Sequence, residues 1–361
     1  MISLLIFILI LSILIVVHEF GHFWAAKRIG IKVEKFALGF GPKLFSFKKN
    51  DTEYLVCAIP LGGYTKLAGD NWEEFRGNKW EYLSRGPGQK AQVVFMGPFL
   101  NYILALICFW LVFLIGYPTL STKVGTVVDD FPAKKAGVLV GDRITAINDK
   151  KIKSWEELQK LIHEKKQGPI ILSILREDKS LDISVDVRSE KVANILGQKK
   201  PVGLIGIRPA DEVFIVKYNP IESFSIGFKR LIDLTALTYK AIWRLVTGAM
   251  SVQESVTGPL GIFYITSRAA HFGFGALLHV IAVLNVSLAI FNLLPLPVMD
   301  GGHLVLFVIE RIRGRRLGQK FDEIITKIGI SLLIFLATFI FLNDLIKFGI
   351  FDKIFKWWLK V

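Results

Sequence analysis

Sulfur chemistry is nearly missing from this sequence: 361 residues carry two cysteines, Cys57 and Cys108. One falls in an expected strand and the other in an expected membrane span, so no disulfide framework is implied. Histidine is almost as scarce, with 6 in the chain, which gives weight to any pair at a meaningful spacing. No internal repeat, low-complexity tract or phosphate-cradling glycine loop is present, which removes repeat arrays and P-loop sites from consideration. Charge is absent from residues 1–17, 91–122, 269–299 (His271 and His279 aside) and 328–343. Each reads as a helix crossing a bilayer.

What remains is strongly apolar. Hydrophobic residues make up 52%, mean hydropathy is +0.47, and phenylalanine alone contributes 28 residues. The expected fold is a polytopic α-helical membrane protein with four spans. The first run has Ser3 and Ser12 as its polar side chains and no early Lys or Arg, unlike the basic start of a cleaved signal peptide. The formal charge of +14 invites a nucleic-acid reading, but its placement argues against one. Lysines and arginines crowd the loop after the first span and, as Arg311, Arg313, Arg315 and Arg316, the segment after the third. Both segments fall on one side of a four-span chain, which the positive-inside rule makes cytoplasmic. Topology and anionic lipid account for the charge, and no nucleic-acid partner is expected.

The first apolar run leads directly into His18-Glu19-Phe20-Gly21-His22. Two histidines four apart share one helix face and can reach one zinc ion, and the glutamate between them can handle the protons of an attacking water. Ionisable groups at membrane depth are costly unless paired or bound, so a functional site is the default reading. Catalytic zinc usually takes three protein ligands. The residues just after His22 offer none. Glu34 is available but sits in the next element, and His303 is a reserve ligand. The stronger candidate is Asp300, which follows Pro295 and Pro297 and precedes Gly301 and Gly302, where helix breakers leave an open backbone.

Together, His18 to His22 and the segment Asn292 through Gly302 resemble the site-2 protease family of intramembrane zinc metalloproteases, in its bacterial regulator-of-sigma-E branch. Leu38-Gly39-Phe40-Gly41-Pro42, Ile59-Pro60-Leu61-Gly62-Gly63-Tyr64, Gly97-Pro98, Gly258-Pro259 and Phe341-Leu342-Asn343-Asp344 fit the same family. The resemblance implies Zn2+ bound by His18, His22 and Asp300, with Glu19 as general base. It implies substrate contacts at Asn292, Pro295 and Pro297, and at Gly62 and Gly63. Met299 stands where the family more often has Leu, a mild change. Implied substrates are single-span membrane proteins, such as a trimmed anti-sigma factor, or remnant signal peptides, and the implied location is the bacterial inner (cytoplasmic) membrane.

Between the first two spans, β-rich segments at 34–47 and 54–67 suggest a hairpin element able to take up an extended peptide by strand addition. Residues 117–190 resemble a PDZ domain on the extracytoplasmic side, with Ser154 as N-cap and Glu157 completing a capping box. That domain would bind a peptide end or act as a size filter. The family's closest members often carry two such domains, and here there is room for one. Residues 191–268 hold a linker and an amphipathic helix at 221–250, lying on the membrane or packing beside the spans. The remaining boundaries are spans at 1–23, 91–116, 269–299 and 328–347, loops at 24–90 and 300–327, and an interfacial tail at 348–361. Two other readings are weighed against the protease. A metal or proton transporter calls for more ionisable residues in the other spans, where His279 is the one such residue well inside. A silent scaffold built on the PDZ-like domain would tolerate loss of Glu19 or Asp300, yet the full set is present.

Overall fold

In the computed structural model, which describes residues 2–193 and 198–349, four helices are long and apolar enough to cross a membrane. Contacts divide the chain into two units, one of residues 1–110, 224–243 and 251–361 and the other of 111–223 and 244–250. The first span is α1 (Ile2–Ile29). It leads into β1 (Val33–Lys49) and β2 (Thr52–Leu67), joined by a two-residue turn with Asn50 at φ 53. Both strands fold back on themselves. Ala37 pairs with Leu55 on one side and Tyr64 on the other, while Phe45 pairs with Val56. The resulting order of segments is 43–49, 52–57, 33–38 and 63–67. The folds occur where Gly39, Gly41 and Gly62 adopt positive φ, a backbone region open to glycine at little cost. The second span is α2 (Pro87–Ile115), with Pro98 inside it.

The unit of residues 111–223 and 244–250 contains β3 (Tyr117–Leu120), β4 (Val124–Val127), α3 (Pro132–Lys135), β5 (Arg143–Ile147), β6 (Lys150–Lys151), α4 (Trp155–Lys165), β7 (Gly168–Arg176), β8 (Lys179–Ala193), β9 (Lys199–Leu204), β10 (Ile207–Pro209) and β11 (Val213–Val216). Five strands form one sheet in the order β6-β5-β7-β8-β9, and β10 pairs with β4 while β11 pairs with β3. Alternating residues of β7 (Ile170, Leu172 and Ile174) enter a core with Ile144, Leu158 and Val185, as the period of two requires. Glu177 and Asp178 both take positive φ, the geometry that matches a tight hairpin to strand twist. The fold therefore runs past the expected limit at residue 190 and includes β9, β10 and β11. Ser154 caps α4 by accepting from the Glu157 N–H at 3.3 Å, but Glu157 reaches back to the Lys153 N–H at 2.8 Å.

The remaining helices are α5 (Pro220–Val246), α6 (Val252–Ser255), α7 (Pro259–His271), α8 (Phe274–Asn292), α9 (Asp300–Arg313) and α10 (Gln319–Lys347). α8 and α10 are the third and fourth spans. Two expectations are corrected here. The apolar run from 269 is broken at Gly273 (φ 97), so the span begins at Phe274 and its first residues belong to α7. Half of the supposed loop at 300–327 is the helix α9, and the helix that carries the fourth span begins at Gln319, ahead of the uncharged stretch from 328. Of the two placements expected for the amphipathic helix, α5 takes the one beside a span, with Gly227 against the backbone of Phe109 and Trp110 on α2. Small residues allow that close approach, and the bulky Phe224 and Phe228 stay exposed. From residue 350 on, the expected interfacial tail lies outside the described residues.

Candidate metal centre

Each metal-ligand candidate is placed by glycine. On α1, Gly21 brings the helix against the backbone of α2, since a side chain there would collide with the Met96 carbonyl and stand 2.8 Å from Gly97 Cα. On α2, Gly97 leaves the room that both imidazoles fill. A methyl at that position would lie 2.5 Å from His22 Cε1 and Nε2 and 2.9 Å from His18 Cε1. Asp300 is the first residue of α9, where the helix dipole favours a carboxylate. Gly301 and Gly302 let α9 start directly beneath the carbonyls of Leu293, Leu294 and Leu296. Val298 takes φ 75 in that turn, an uncommon and strained conformation for a β-branched residue. Gly329 of α10 packs against Pro297 and Val298 and clamps the turn from the other side.

These elements bring together groups almost 280 residues apart in sequence. His18 Nε2 and His22 Nε2 stand 3.2 Å apart, and Asp300 Oδ2 lies 3.3 Å from the first and 3.7 Å from the second. Ligand atoms on a tetrahedral zinc with bonds of about 2.0–2.1 Å stand about 3.3–3.4 Å from one another, so the spacing fits that ion. Asp300 Oδ2 is buried without a hydrogen-bond partner, an expensive state for a carboxylate oxygen that a cation at the convergence point would relieve. Among the described residues, these three form the one group of His, Cys, Asp and Glu spaced to hold a metal.

Behind the rings, His22 Nδ1 donates to the Val93 carbonyl at 2.9 Å. One residue along, the Val94 carbonyl has no helical donor, because Pro98 has no N–H to give. His18 Nδ1 meets the Asn101 side chain at 3.3 Å, and Asn101 is fully buried. Sequence reasoning passed over Asn101. The available signal was an amide in the middle of an otherwise apolar span, four residues after the Gly97 already noted.

Glu19 is half-buried on the side of α1 that meets β2. Its Cγ is 3.6 Å from the position a Gly63 Cβ would take, and its carbonyl accepts from Thr65 Oγ1 at 3.0 Å. Farther along, Ser12 Oγ donates to the Pro60 carbonyl at 2.6 Å. Segment 60–67 therefore runs beside α1, with Gly62 and Gly63 next to Glu19. Phe40 lies over Gly62 and stacks on Tyr64 at 6.2 Å. Asn292 ends α8, with Pro295 and Pro297 in the turn that leads to Asp300. The two other ligand candidates do not join the group: Glu34 faces Lys66 at 3.7 Å, and His303, one turn along α9 from Asp300, stacks on Phe307.

Comparison with known proteins places this geometry in context. The pattern of peptidase family M50 matches residues 6–336. The zinc metalloprotease RasP of Oceanobacillus iheyensis is 30% identical, covering 94% of this chain and 97% of its own. Proteins whose names describe them as candidate zinc metalloproteases are 32% identical in Rhizobium meliloti, covering 94% and 95%, and 34% identical in Clostridium perfringens, covering 94% and 97%. Among solved structures, the PDZ domain of an SdrC-like protein from Listeria monocytogenes aligns with 25% of this chain and 88% of its own, at 26% identity and a TM-score of 0.21. Its counterpart from Listeria innocua aligns with 26% and 96%, at 29% identity and a TM-score of 0.20.

Proposed function

This chain belongs to peptidase family M50, the zinc metalloproteases of site-2 type, and we propose that it cleaves the transmembrane segments of single-span substrates. The observation that carries this reading is the convergence of His18, His22 and Asp300 beside Glu19. His18 Nε2, His22 Nε2 and Asp300 Oδ2 would hold the zinc, which when bound supplies Lewis acidity that eases ionisation of water and polarises a carbonyl. Glu19 takes a proton from the attacking water as the new C–O bond forms, and returns it to the amide nitrogen as the C–N bond breaks.

A peptide bond inside a helix is shielded from attack, so the substrate must first be extended. The 60–67 segment beside Glu19 suits that task, because strand addition uses backbone hydrogen bonds and tolerates many sequences. Gly63 puts no side chain between the strand and Glu19, and Gly62 beside it lies under the Phe40 ring, where a substrate would pass nearest to Glu19. Asn292, with Pro295 and Pro297, would steady the scissile segment from the α8 side.

The basic segments after α1 and in α9 orient the site toward the cytoplasm of a bacterial inner membrane, with the PDZ-like unit on the opposite face. Within that unit, a groove of about 240 Å³ between α4 and residues 204–208 is lined by Trp155, Leu158, Ile162 and Ile205. It suits an extended chain end, such as one left by an earlier cut in the substrate.

The test compares wild type with Glu19→Gln, reading zinc content and cleavage of a model single-span substrate. Glu19→Gln is expected to retain zinc and to lose cleavage by about 10²–10⁴-fold. Cleavage at the wild-type rate would remove Glu19 from the chemistry. Zinc bound by both proteins with no cleavage of several unrelated spans would favour a transporter or scaffold.

A further inference from the structure

Both histidines of the metal centre are held from behind by α2, each through the ring nitrogen that faces away from Asp300. For His22 the consequence is fixed. The Val93 carbonyl can only accept, so Nδ1 carries the proton and Nε2 presents its lone pair toward Asp300 and His18. For His18 the partner is an amide, which offers an oxygen and a nitrogen of nearly the same shape. In the structure Asn101 Nδ2 stands 3.3 Å from His18 Nδ1, the one hydrogen-bond partner of this side chain among the described residues, and Oδ1 is left buried without a partner, so turning the amide over would bring its oxygen to the ring. The orientation of the amide and the tautomer of His18 are therefore chosen together.

We infer that Asn101 is a positioning residue whose amide oxygen accepts from His18 Nδ1–H, fixing the tautomer in which His18 Nε2 is free to bind the metal. The inference rests on the proposed zinc site. With the amide nitrogen toward the ring, as the structure sets it, Nδ1 would have to accept and Nε2 would carry the proton. That N–H would point into the space 3.2 Å from His22 Nε2 and 3.3 Å from Asp300 Oδ2, where a cation could not be bound. Among the described residues no other hydrogen-bond partner competes for the choice, so the metal-binding tautomer and the oxygen-inward amide stabilise each other. Among the described residues Asn101 bonds neither segment 60–67 nor Asp300, and it acts through His18. Its place one helical turn beyond Gly97 puts both on the face of α2 that meets the imidazoles.

The experiment measures zinc affinity of the full-length protein in detergent by competition with a chromophoric chelator, for wild type, Asn101→Leu, Asn101→Asp and His18→Ala. Leu has a similar volume and no acceptor, and Asp offers an acceptor on either oxygen and no amide donor. Asn101→Leu is expected to lose about 10–100-fold in affinity, as losing the partner behind a metal-bound histidine does, while Asn101→Asp stays near wild type. A shared loss in Leu and Asp would overturn the acceptor role, because only a donor requirement or general disruption treats them alike. Wild-type affinity in Asn101→Leu would overturn it as well. If wild type and His18→Ala bind zinc alike, the metal site itself fails and this inference fails with it. A wild type whose zinc depends on His18 separates the two questions.

Discussion

Gly97→Ala is the smallest change that tests how the centre is built, because it adds one methyl and no charge. That methyl would stand 2.5 Å from two atoms of the His22 ring and 2.9 Å from one of His18, whereas ordinary contact begins at 3.4 Å. The rings and α2 must separate by about 0.9 Å, several times the roughly 0.2 Å that metal–ligand distances tolerate. The Nε2 atoms cannot hold their spacing to Asp300 through such a shift. We expect zinc affinity to fall by at least about 100-fold, or about 2.8 kcal/mol, with cleavage falling alongside. Because Pro98 follows, alanine at 97 forgoes its usual helical advantage over glycine, but an overpacking cost of about 1–3 kcal/mol is within the roughly 5–15 kcal/mol by which proteins are stable, so the protein should still fold. Gly88→Ala, also on α2, is the control, since its methyl would meet nothing closer than Arg311 Nη1 at 3.7 Å. The assay is the same chelator competition, with unfolding temperature alongside. Wild-type zinc affinity in Gly97→Ala would refute the placement of both imidazoles against α2.

The parts of this fold that could be read from sequence are those set by a local period or by an absence. His18 and His22 share a face because a helix repeats every 3.6 residues, and the spans stand out because charge is missing from them. Asp300 was reached by its surroundings of proline and glycine, which the structure explains through the contacts beneath Gly301 and Gly302. What stayed hidden depends on partners distant in sequence. Nothing in Ile207–Pro209 states that it pairs with Val124–Val127, so the PDZ-like unit was drawn too short. Nor does hydropathy register the break at Gly273, because apolar residues continue on both sides of it. For α5, the apolar face includes Phe224, which meets Trp110 of α2 edge-on, but Gly227, which lies against the α2 backbone, carries no side chain for hydropathy to register. Asn101 escaped because a search for ionisable residues does not count amides. In a span, an uncharged polar side chain with a single partner is as informative as a charge.

Three further outcomes follow from buried polar contacts away from the metal. Lys90→Met should cost about 3–5 kcal/mol, because Glu310, paired with Lys90 at 2.6 Å, would be left as an unpaired buried charge. Adding Glu310→Met should recover most of that loss in thermal unfolding, and a double variant no better than the single would argue against the pair. Asp344→Ala should cost about 2–4 kcal/mol, since the buried carboxylate accepts from the N–H groups of Gly258, Leu260 and Gly261 at the start of α7. An unchanged unfolding temperature would mean that these amides have other acceptors. The third concerns acid. Burial works against ionisation of Asp142, but the Arg176 guanidinium at 2.7 Å through both Nε and Nη2, with the Leu139 amide, outweighs it and holds the carboxyl below its usual range. A folded value below the unfolded one means that the folded state binds fewer protons as pH falls. The contribution of Asp142 is then fully present above the unfolded value of about 3.9, and it disappears as pH drops through the folded value. Stability from this contact should therefore be level at neutral pH and decline below about pH 4. Asp142→Asn should lower the neutral plateau and flatten the acid limb, since it removes the group that titrates. An acid limb of unchanged slope in Asp142→Asn, measured by thermal unfolding of the full chain from neutral to acid pH, would assign that limb to other carboxylates.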